Sequence, residues 1–265
     1  MKLKMFQIDA FAGRVFEGNP AAVVPLVAWL PDATLQAIAE ENNLAETAYF
    51  VPEADGYRLR WFTPAAEVDL CGHATLASAF VLYEHLGYTA KQIRFHTRSG
   101  VLVVEKAANG YSMTFPASTP VDCATPPVLA EALGKTPQKT LAAFDYVAVY
   151  ETEEEIRALD PDFGKLCTLD LRGVVATAPG RTVDFVSRFF APKLSINEDP
   201  ATGSSHTELT PYWAVRLGRM ILKAQQLSPR GAFMMCELKG EQVVLTGSAV
   251  HYMTAEITVP DSTVA

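Results

Sequence analysis

The sequence predicts an α+β protein built from two similar halves. Three observations lead there. Runs with strand-like alternation intermingle with helix-period runs along the whole chain. A stretch with four prolines and little periodicity, "PASTPVDCATPP" (residues 116–127), falls near the middle and reads as a linker. On either side of it, "RWFTPAAEVDLCGHAT" and "RFFAPKLSINEDPATG" align without a gap. Arg60 and Arg188 stand 188 − 60 = 128 positions apart, as do Phe62 and Phe190, Pro64 and Pro192, and Ala48 and Ala176. A period that long indicates two similar domains rather than a solenoid. On this alignment Cys71 faces Asp199 and Glu46 faces Val174, so the frames match while the reactive groups differ. The cleft between duplicated halves is the natural place for a site.

The elements follow in order. "KMFQIDAF" and the apolar "AAVVPL" read as strands around the turn "GRVFEGNP". "PDATLQAIAEEN" reads as a helix capped by Asp32. A strand over 44–51 comes next, then "YRLRWFTP", which Pro64 should end. "HATLASAFVLYEHLG" reads as a buried helix closed by Gly87. "QIRFHT", "GVLVVEKA" and "YSMTFP" are strands joined by the hairpin signals "RSG" and "ANG". Beyond the linker the order repeats: helix, strand, helix, then "RGVVATAP", "VDFVSRFFAP", a Gly-rich turn and another helix. The acidic run "ETEEEIRALDPDF" has Ile156, Leu159 and Phe163 at helical spacing and reads as a surface helix with a solvated face. The end, "GAFMMCELKGEQVVLTGSAVHYMTAEITV", is strand-like.

Bulk properties narrow the function. A formal charge of 22 − 30 = −8 with no basic block excludes a nucleic-acid or anionic-membrane surface. No apolar run approaches the ~20 residues needed to span a bilayer. The start, "MKLKMFQIDAFAG", alternates like a strand and is interrupted by Asp9, unlike a signal peptide. Cys71, Cys123, Cys167 and Cys236 are scattered, without a CxxC pair, which fits a cytoplasmic protein with reduced thiols.

Glu46 is the first candidate for chemistry. On a strand over 44–51, Leu44, Glu46, Ala48 and Phe50 share one face; Ala45, Thr47, Tyr49 and Val51 share the other. Both faces are mainly apolar, so Glu46 has no evident solvated side. A buried, unpaired carboxylate is costly, and its pKa rises until it is protonated or partnered. That is how an enzyme holds a general acid/base near neutral pH. The plainer alternative is an exposed strand end or a pair with an arginine.

Each half also carries a small-residue turn that opens a helix: "DLCGHATLAS" and "NEDPATGSSHTEL". Gly72 and Gly203 let the backbone approach a ligand closely, and free N–H groups at the helix starts offer an anion site. Thr75, Ser204 and Ser205 are candidate hydroxyl donors; ordinary N-capping is the alternative. His73 sits at a positive helix end, which favours its neutral form and a proton-shuttle role. Asp199 is placed to orient His73, to hold a proton, or to cap its helix. Cys71 and His73 lack two further ligands at recognisable spacing, so no metal site is expected. No GxGxxG, Walker loop or GxSxG element is present.

Taken together, "FxGNPAAV" (Phe16 to Val23), "NLAETAYFV", "FTPAAEVDLCGHATLA" and "NEDPATGSS", in this order and spacing, resemble the phenazine-biosynthesis PhzF-like family over essentially the whole chain. The resemblance implies the diaminopimelate epimerase-like fold: two pseudo-symmetric domains, each a barrel-like mixed β-sheet around a central helix, with the site between them. It places an N-terminal domain over 1–117, joined by the last strand at about 253–265, and a C-terminal domain over 118–252. It assigns catalytic roles to Glu46, as general acid/base, and to His73 and Asp199. It places Gly72, Ala74, Thr202, Gly203 and Ser204 against the substrate. In the phenazine enzyme such groups move a proton between carbons of trans-2,3-dihydro-3-hydroxyanthranilate without a cofactor. The expectation is therefore a cytoplasmic, homodimeric, cofactor-independent isomerase of a biosynthetic process, acting on a small carboxylate-bearing substrate. Two alternatives stand beside it: an epimerase or racemase with Asp199 or Cys71 as the opposite base, and a non-catalytic small-ligand-binding protein. Diaminopimelate epimerase and proline racemase use one cysteine per half. Here Asp199, Pro200 and Ala201 occupy the second region, so two-thiol racemisation is not expected, and Cys71 reads as a small packed residue.

Overall fold

The computed structural model describes residues 1–260. They divide into two units, Met1–Thr114 with the chain from Thr246 onward, and Phe115–Leu245. The chain is α+β, with a mixed sheet in each unit.

In the first unit, β1 (Lys2–Ala10) pairs antiparallel with β2 (Asn19–Pro25) on one side and with the last strand, Ala249–Thr258, on the other. β2 runs parallel to β3 (Glu46–Glu53), which turns back into β4 (Gly56–Phe62). A two-residue strand, β5 (Glu67–Val68), pairs with β4. β4 then runs parallel to β6 (Gln92–Thr97), which is followed antiparallel by β7 (Gly100–Ala107) and β8 (Gly110–Pro116). Two helices cover this sheet. α1 (Asp32–Asn42) places Leu35, Ile38 and Ala39 in one cluster with Tyr49, Val51 and Phe62. α2 (Gly72–His85) has ten of its fourteen residues buried, on all sides, as a helix inside a wrapped sheet must. It touches β1, β2, β3, β7 and the last strand. A helix on each side is why both faces of β3 are apolar.

The second unit repeats the scheme. β9 (Val121–Asp122) pairs with β10 (Lys139–Ala142), and β10 with β11 (Tyr146–Val149). β11 runs parallel to β12 (Val174–Pro179), which is antiparallel to β13 (Phe185–Ala191). A short strand, β14 (Ile196–Asp199), pairs with β13. β13 then runs parallel to β15 (Ile221–Gln226), followed by β16 (Ala232–Lys239). The largely buried α6 (Gly203–Leu217) lies between β14 and β15, as α2 lies between β5 and β6. The sequence of parallel and antiparallel pairings from β2 to β7 is therefore repeated from β11 to β16.

The residues that betrayed the repeat do the same job in each unit. Arg60 on β4 grips Glu67 on β5 through Nε and Nη2, both at 2.7 Å, and lies 5.1 Å over the Phe62 ring. Arg188 on β13 grips Glu198 on β14 at 2.7 and 2.9 Å and lies 5.0 Å over Phe190. Each fork fastens a short strand to its neighbour with planar, two-point geometry. The gapless alignment fails just after these strands. A 3₁₀ turn, Pro192–Leu194, inserts before β14 and is closed by Ser195 at φ 62. Glu198 − Glu67 is thus 131 rather than 128. At that offset the residue matching Cys71 is Thr202, the N-cap of α6, and not Asp199.

Other expectations need correction. Asp32 does not cap α1: Pro31 holds the cap position, and the Asp32 carboxylate instead takes Arg60 Nη1 at 2.8 Å. The acidic run forms two short helices, α4 (Glu153–Arg157), with a Thr152–Glu155 capping box, and α5 (Phe163–Leu166). Glu153 is buried, held by Arg157 and the Arg181 amide, so that face is not fully solvated. A short α3 (Pro127–Leu133) begins where the linker stretch ends. The linker itself is tied down. Pro211 inside α6 lacks the N–H that would bond the Thr207 carbonyl, and Ser118 N–H fills that place at 3.1 Å. The tail of the predicted last strand, residues 261–265, lies outside the described residues.

Candidate active site

Glu46 is the first residue of β3, paired with Ala21 of β2, and its carbon stem points to the α2 side of the sheet with Ala48 and Phe50. Only 9 % of it is exposed. His73, the second residue of α2, brings Nε2 to 2.9 Å from Glu46 Oε2. The approach has ion-pair distance but lies off the line of a hydrogen bond, so the buried Oε2 has no aligned partner. Behind the ring, Cys71 Sγ lies 3.5 Å and the Asn19 side-chain amide 3.3 Å from Nδ1. The glutamate thus finds a histidine, where the sequence offered solvent or an arginine.

The same partner bears on the electrostatics of the group. Burial disfavours the imidazolium, but Cys71 and Glu46 outweigh it and hold His73 well above its ordinary value. Burial, with Glu46 beside it, pushes the Cys71 thiol up to about 11. This direction runs against the neutral imidazole that the helix end alone favours, because a carboxylate from β3 lies 2.9 Å away. Glu46, Cys71 and His73 have ligand atoms within 4.8 Å of one another, close enough to share a cation, although here they engage each other.

Gly72 and Ala74 flank His73 in the first turn of α2. Cys71 makes no side-chain cap, so the turn keeps its amides for another acceptor. Thr75 is not an available donor. Its buried hydroxyl is spent on the Cys71 carbonyl at 2.6 Å. Asn19, buried beside His73, was missed as a site residue, although the "GNP" of the family motif carried the signal. Gly18 before it is required: at φ 65 a Cβ would come within 2.1 Å of the Ala10 carbonyl oxygen.

In the second unit, Thr202, Gly203 and Ser204 open α6 directly after Asp199. Thr202 makes no side-chain cap; its hydroxyl donates to the Asp199 carboxylate. Asp199 is therefore not the N-cap. Buried Gln226 fixes the turn, accepting from Thr202 N–H at 2.9 Å and donating to the Asp199 carbonyl at 2.6 Å. Sequence reasoning had no signal for it, since it comes from β15. Ser205 turns its hydroxyl back to the Thr202 carbonyl at 3.0 Å and is buried, so it is no ligand donor. His206 lies 2.8 Å from the same carbonyl, and burial takes it down to about 4, so it is a neutral N–H donor. Ser204 Oγ accepts from Arg172 at 3.1 Å. A Cβ on Gly203 would meet only Leu245 at 3.7 Å, so internal packing does not demand glycine there. The structure thus gathers Glu46, Gly72, His73 and Ala74 in the first unit, and Asp199, Thr202, Gly203 and Ser204 in the second.

The motifs that place Glu46, His73 and the α6 turn belong to a known set. The family model for "Phenazine biosynthesis-like protein" matches residues 8–255. The chain belongs to this family. It is 52% identical to an uncharacterized isomerase of Pseudomonas aeruginosa, over 97% of this chain and 99% of that one. It is 34% identical to the human phenazine biosynthesis-like domain-containing protein, covering 97% of this chain and 100% of the relative. A crystal structure of a PhzF-family protein from Enterococcus faecalis superposes with a TM-score of 0.96 at 46% identity, over 98% and 100% of the two chains. A hydroxyproline epimerase from Agrobacterium vitis shares the fold at TM-score 0.61 and 10% identity, over 98% and 93%. The protein is thus a PhzF-family, isomerase-like member of the epimerase-like fold, and no described helix is long and apolar enough to cross a membrane.

Proposed function

We propose that this PhzF-family protein is a cofactor-independent isomerase that moves a proton between two carbons of a small carboxylate-bearing substrate, with Glu46 as the general acid/base. One observation carries the reading: a buried glutamate oxygen without an aligned partner, 2.9 Å from a histidine nitrogen at the uncapped start of α2. In the first step the Glu46 carboxylate takes a proton from a substrate carbon, and the electron pair left behind moves into the substrate's conjugated system. The His73 imidazolium and the amides of Gly72, His73 and Ala74 stabilise the charge that develops there. In the second step the Glu46 acid returns the proton to a different carbon. No proton is gained or lost overall, so the cycle needs no co-reactant. His73 stands 2.9 Å from Glu46 as the group beside it through both steps. The α6 turn, with Asp199 and Ser204, offers a second set of polar groups suited to an anionic ligand.

The test is incubation in D2O with a panel of small amino and hydroxy carboxylates, including dihydrohydroxyanthranilate, followed by NMR of the C–H signals. Deuterium incorporation with a shifted double bond in the wild type, absent in Glu46→Gln, supports the reading. Equal exchange in both proteins removes Glu46 as the carrier. Exchange at one carbon with inversion makes the protein an epimerase instead.

A further inference from the structure

A second buried glutamate has no place in that cycle. Glu208 lies on α6 one turn beyond Ser204, is 0 % exposed, and neither carboxyl oxygen has an aligned hydrogen-bond partner, with the Asp145 amide and carboxyl beside it. Its neighbour is the equally buried Asp145, just before β11. Asp145 is itself gripped by Arg172, Nε to Oδ1 at 3.0 Å and Nη2 to Oδ2 at 2.5 Å, and the same Nη2 reaches Ser204 Oγ at 3.1 Å. Four residues from three separate elements thus form one line: Glu208, Asp145, Arg172, Ser204.

Charge balance decides how the line works. Two carboxylates face one guanidinium, so full ionisation would bury a net negative charge, which costs several kcal/mol. Asp145 accepts both arms of the Arg172 fork and is the anion. Two carboxylates also meet acceptor to acceptor, and only a proton between them makes a bond. We propose that Glu208 donates a hydrogen bond to Asp145 and, through the Asp145–Arg172 fork, positions the Ser204 hydroxyl. Because Ser204 Oγ already accepts from Arg172, its own hydrogen must point away, as a donor to a ligand oxygen. Glu208 is a positioning residue in this scheme; it touches no substrate. Burial, with Asp145 next to it and Arg172 opposing, raises Glu208 to about 9, in line with the charge count. Asp145, Arg172 and, beyond Arg172, Asp199 are the charged groups facing this line.

The role in ligand binding rests on the isomerase reading, but the line itself can be read without a substrate. In protein labelled with ¹⁵N-arginine, the Arg172 Nε–H signal, assigned with Arg172→Lys, is followed from pH 6 to pH 10. The expected result is a shift centred near 9 in the wild type that Glu208→Gln removes, and a displaced signal in Ser204→Ala. Thermal melting gives a second readout. A carboxyl raised by folding contributes stability at low pH that is lost as pH rises toward its folded value. The Glu208→Gln midpoint should therefore gain on the wild type from pH 6 to about 9 and run parallel above it. An Arg172 signal indifferent to pH in the wild type, or parallel melting throughout, overturns the proposal. In the exchange assay, Glu208→Ala should raise KM roughly tenfold with a smaller change in kcat, the loss of one well-oriented hydrogen bond, and Glu208→Gln should restore most of it at pH 7. Equal KM in all three proteins overturns the positioning role. If the Arg172 signal shifts as expected but no compound exchanges, the isomerase reading falls and the line stands.

Discussion

The first turns of α2 and α6 are the same piece of architecture carrying opposite chemistry. Both helices are buried, both begin without a side-chain cap, and both follow a short strand fastened by an arginine fork. In the first unit the turn carries His73, 2.9 Å from Glu46 and held above its ordinary value by Cys71 and Glu46. In the second it carries Ser204, a neutral hydroxyl, and the nearby His206 is driven neutral by burial. Where β3 opens with Glu46, β12 opens with Val174. The two units share an anion-friendly backbone frame, and only the first opens its strand with a carboxylate.

The sharpest way to break this contrast is to remove the Glu46 carboxylate. Glu46→Gln should lower deuterium exchange by about 10²–10⁴-fold, the usual scale for a positioned general base, while substrate binding is kept; a tenfold loss or less would mean the units differ less than proposed. His73→Gln should cost less, roughly a hundredfold, since a neutral amide replaces the cation but the helix amides remain. Ser204→Ala should act mainly on KM, which steady-state kinetics separates from kcat.

The forks give a comparison in stability. Arg188→Met leaves Glu198, 14 % exposed at its side chain, without its fork and also frees the Ile156 and Leu159 carbonyls. A loss of about 3 kcal/mol is expected in urea unfolding. Arg60→Met should cost less, because Arg98 Nη2 remains 2.6 Å from Glu67. Equal losses would show that Arg98 contributes nothing.

The two histidines predict opposite pH limbs. His206 is lowered by folding to about 4, so its stability is complete above pH 6.5 and lost as pH falls toward 4. His73 is raised, so its contribution is complete below 6.5 and lost as pH rises through its folded value. His206→Gln should flatten the acid limb of a melting profile and leave the alkaline limb alone; His73→Gln should do the reverse.

The sequence disclosed what local chemistry controls. Glu46 stood out because "ETAYFV" is apolar on both faces, and the offset identities exposed the forks at Arg60 and Arg188. What stayed hidden depends on distant chain. Glu208 sits in "SSHTELTPYW" like any solvated helix glutamate, and only folding brings Asp145 and Arg172 to it. The insertion at Pro192–Leu194 carries a serine, not a glycine, at its left-handed residue, so it offered no turn signal. The pull of Glu46 on His73 was hidden for the same reason: a helix end can be read from sequence, whereas a carboxylate arriving from β3 cannot.

Pro211 leaves a gap in the backbone ladder of α6, and Ser118 closes it from the stretch that enters the second unit. The helix is therefore finished by a residue synthesised long before it. A fragment begun after Ser118 would hold the Thr207 carbonyl unanswered in a buried helix, at a cost of about 1–3 kcal/mol. Any dissection of this protein into independently folding pieces has to cut upstream of that serine, in the span between β8 and Ser118.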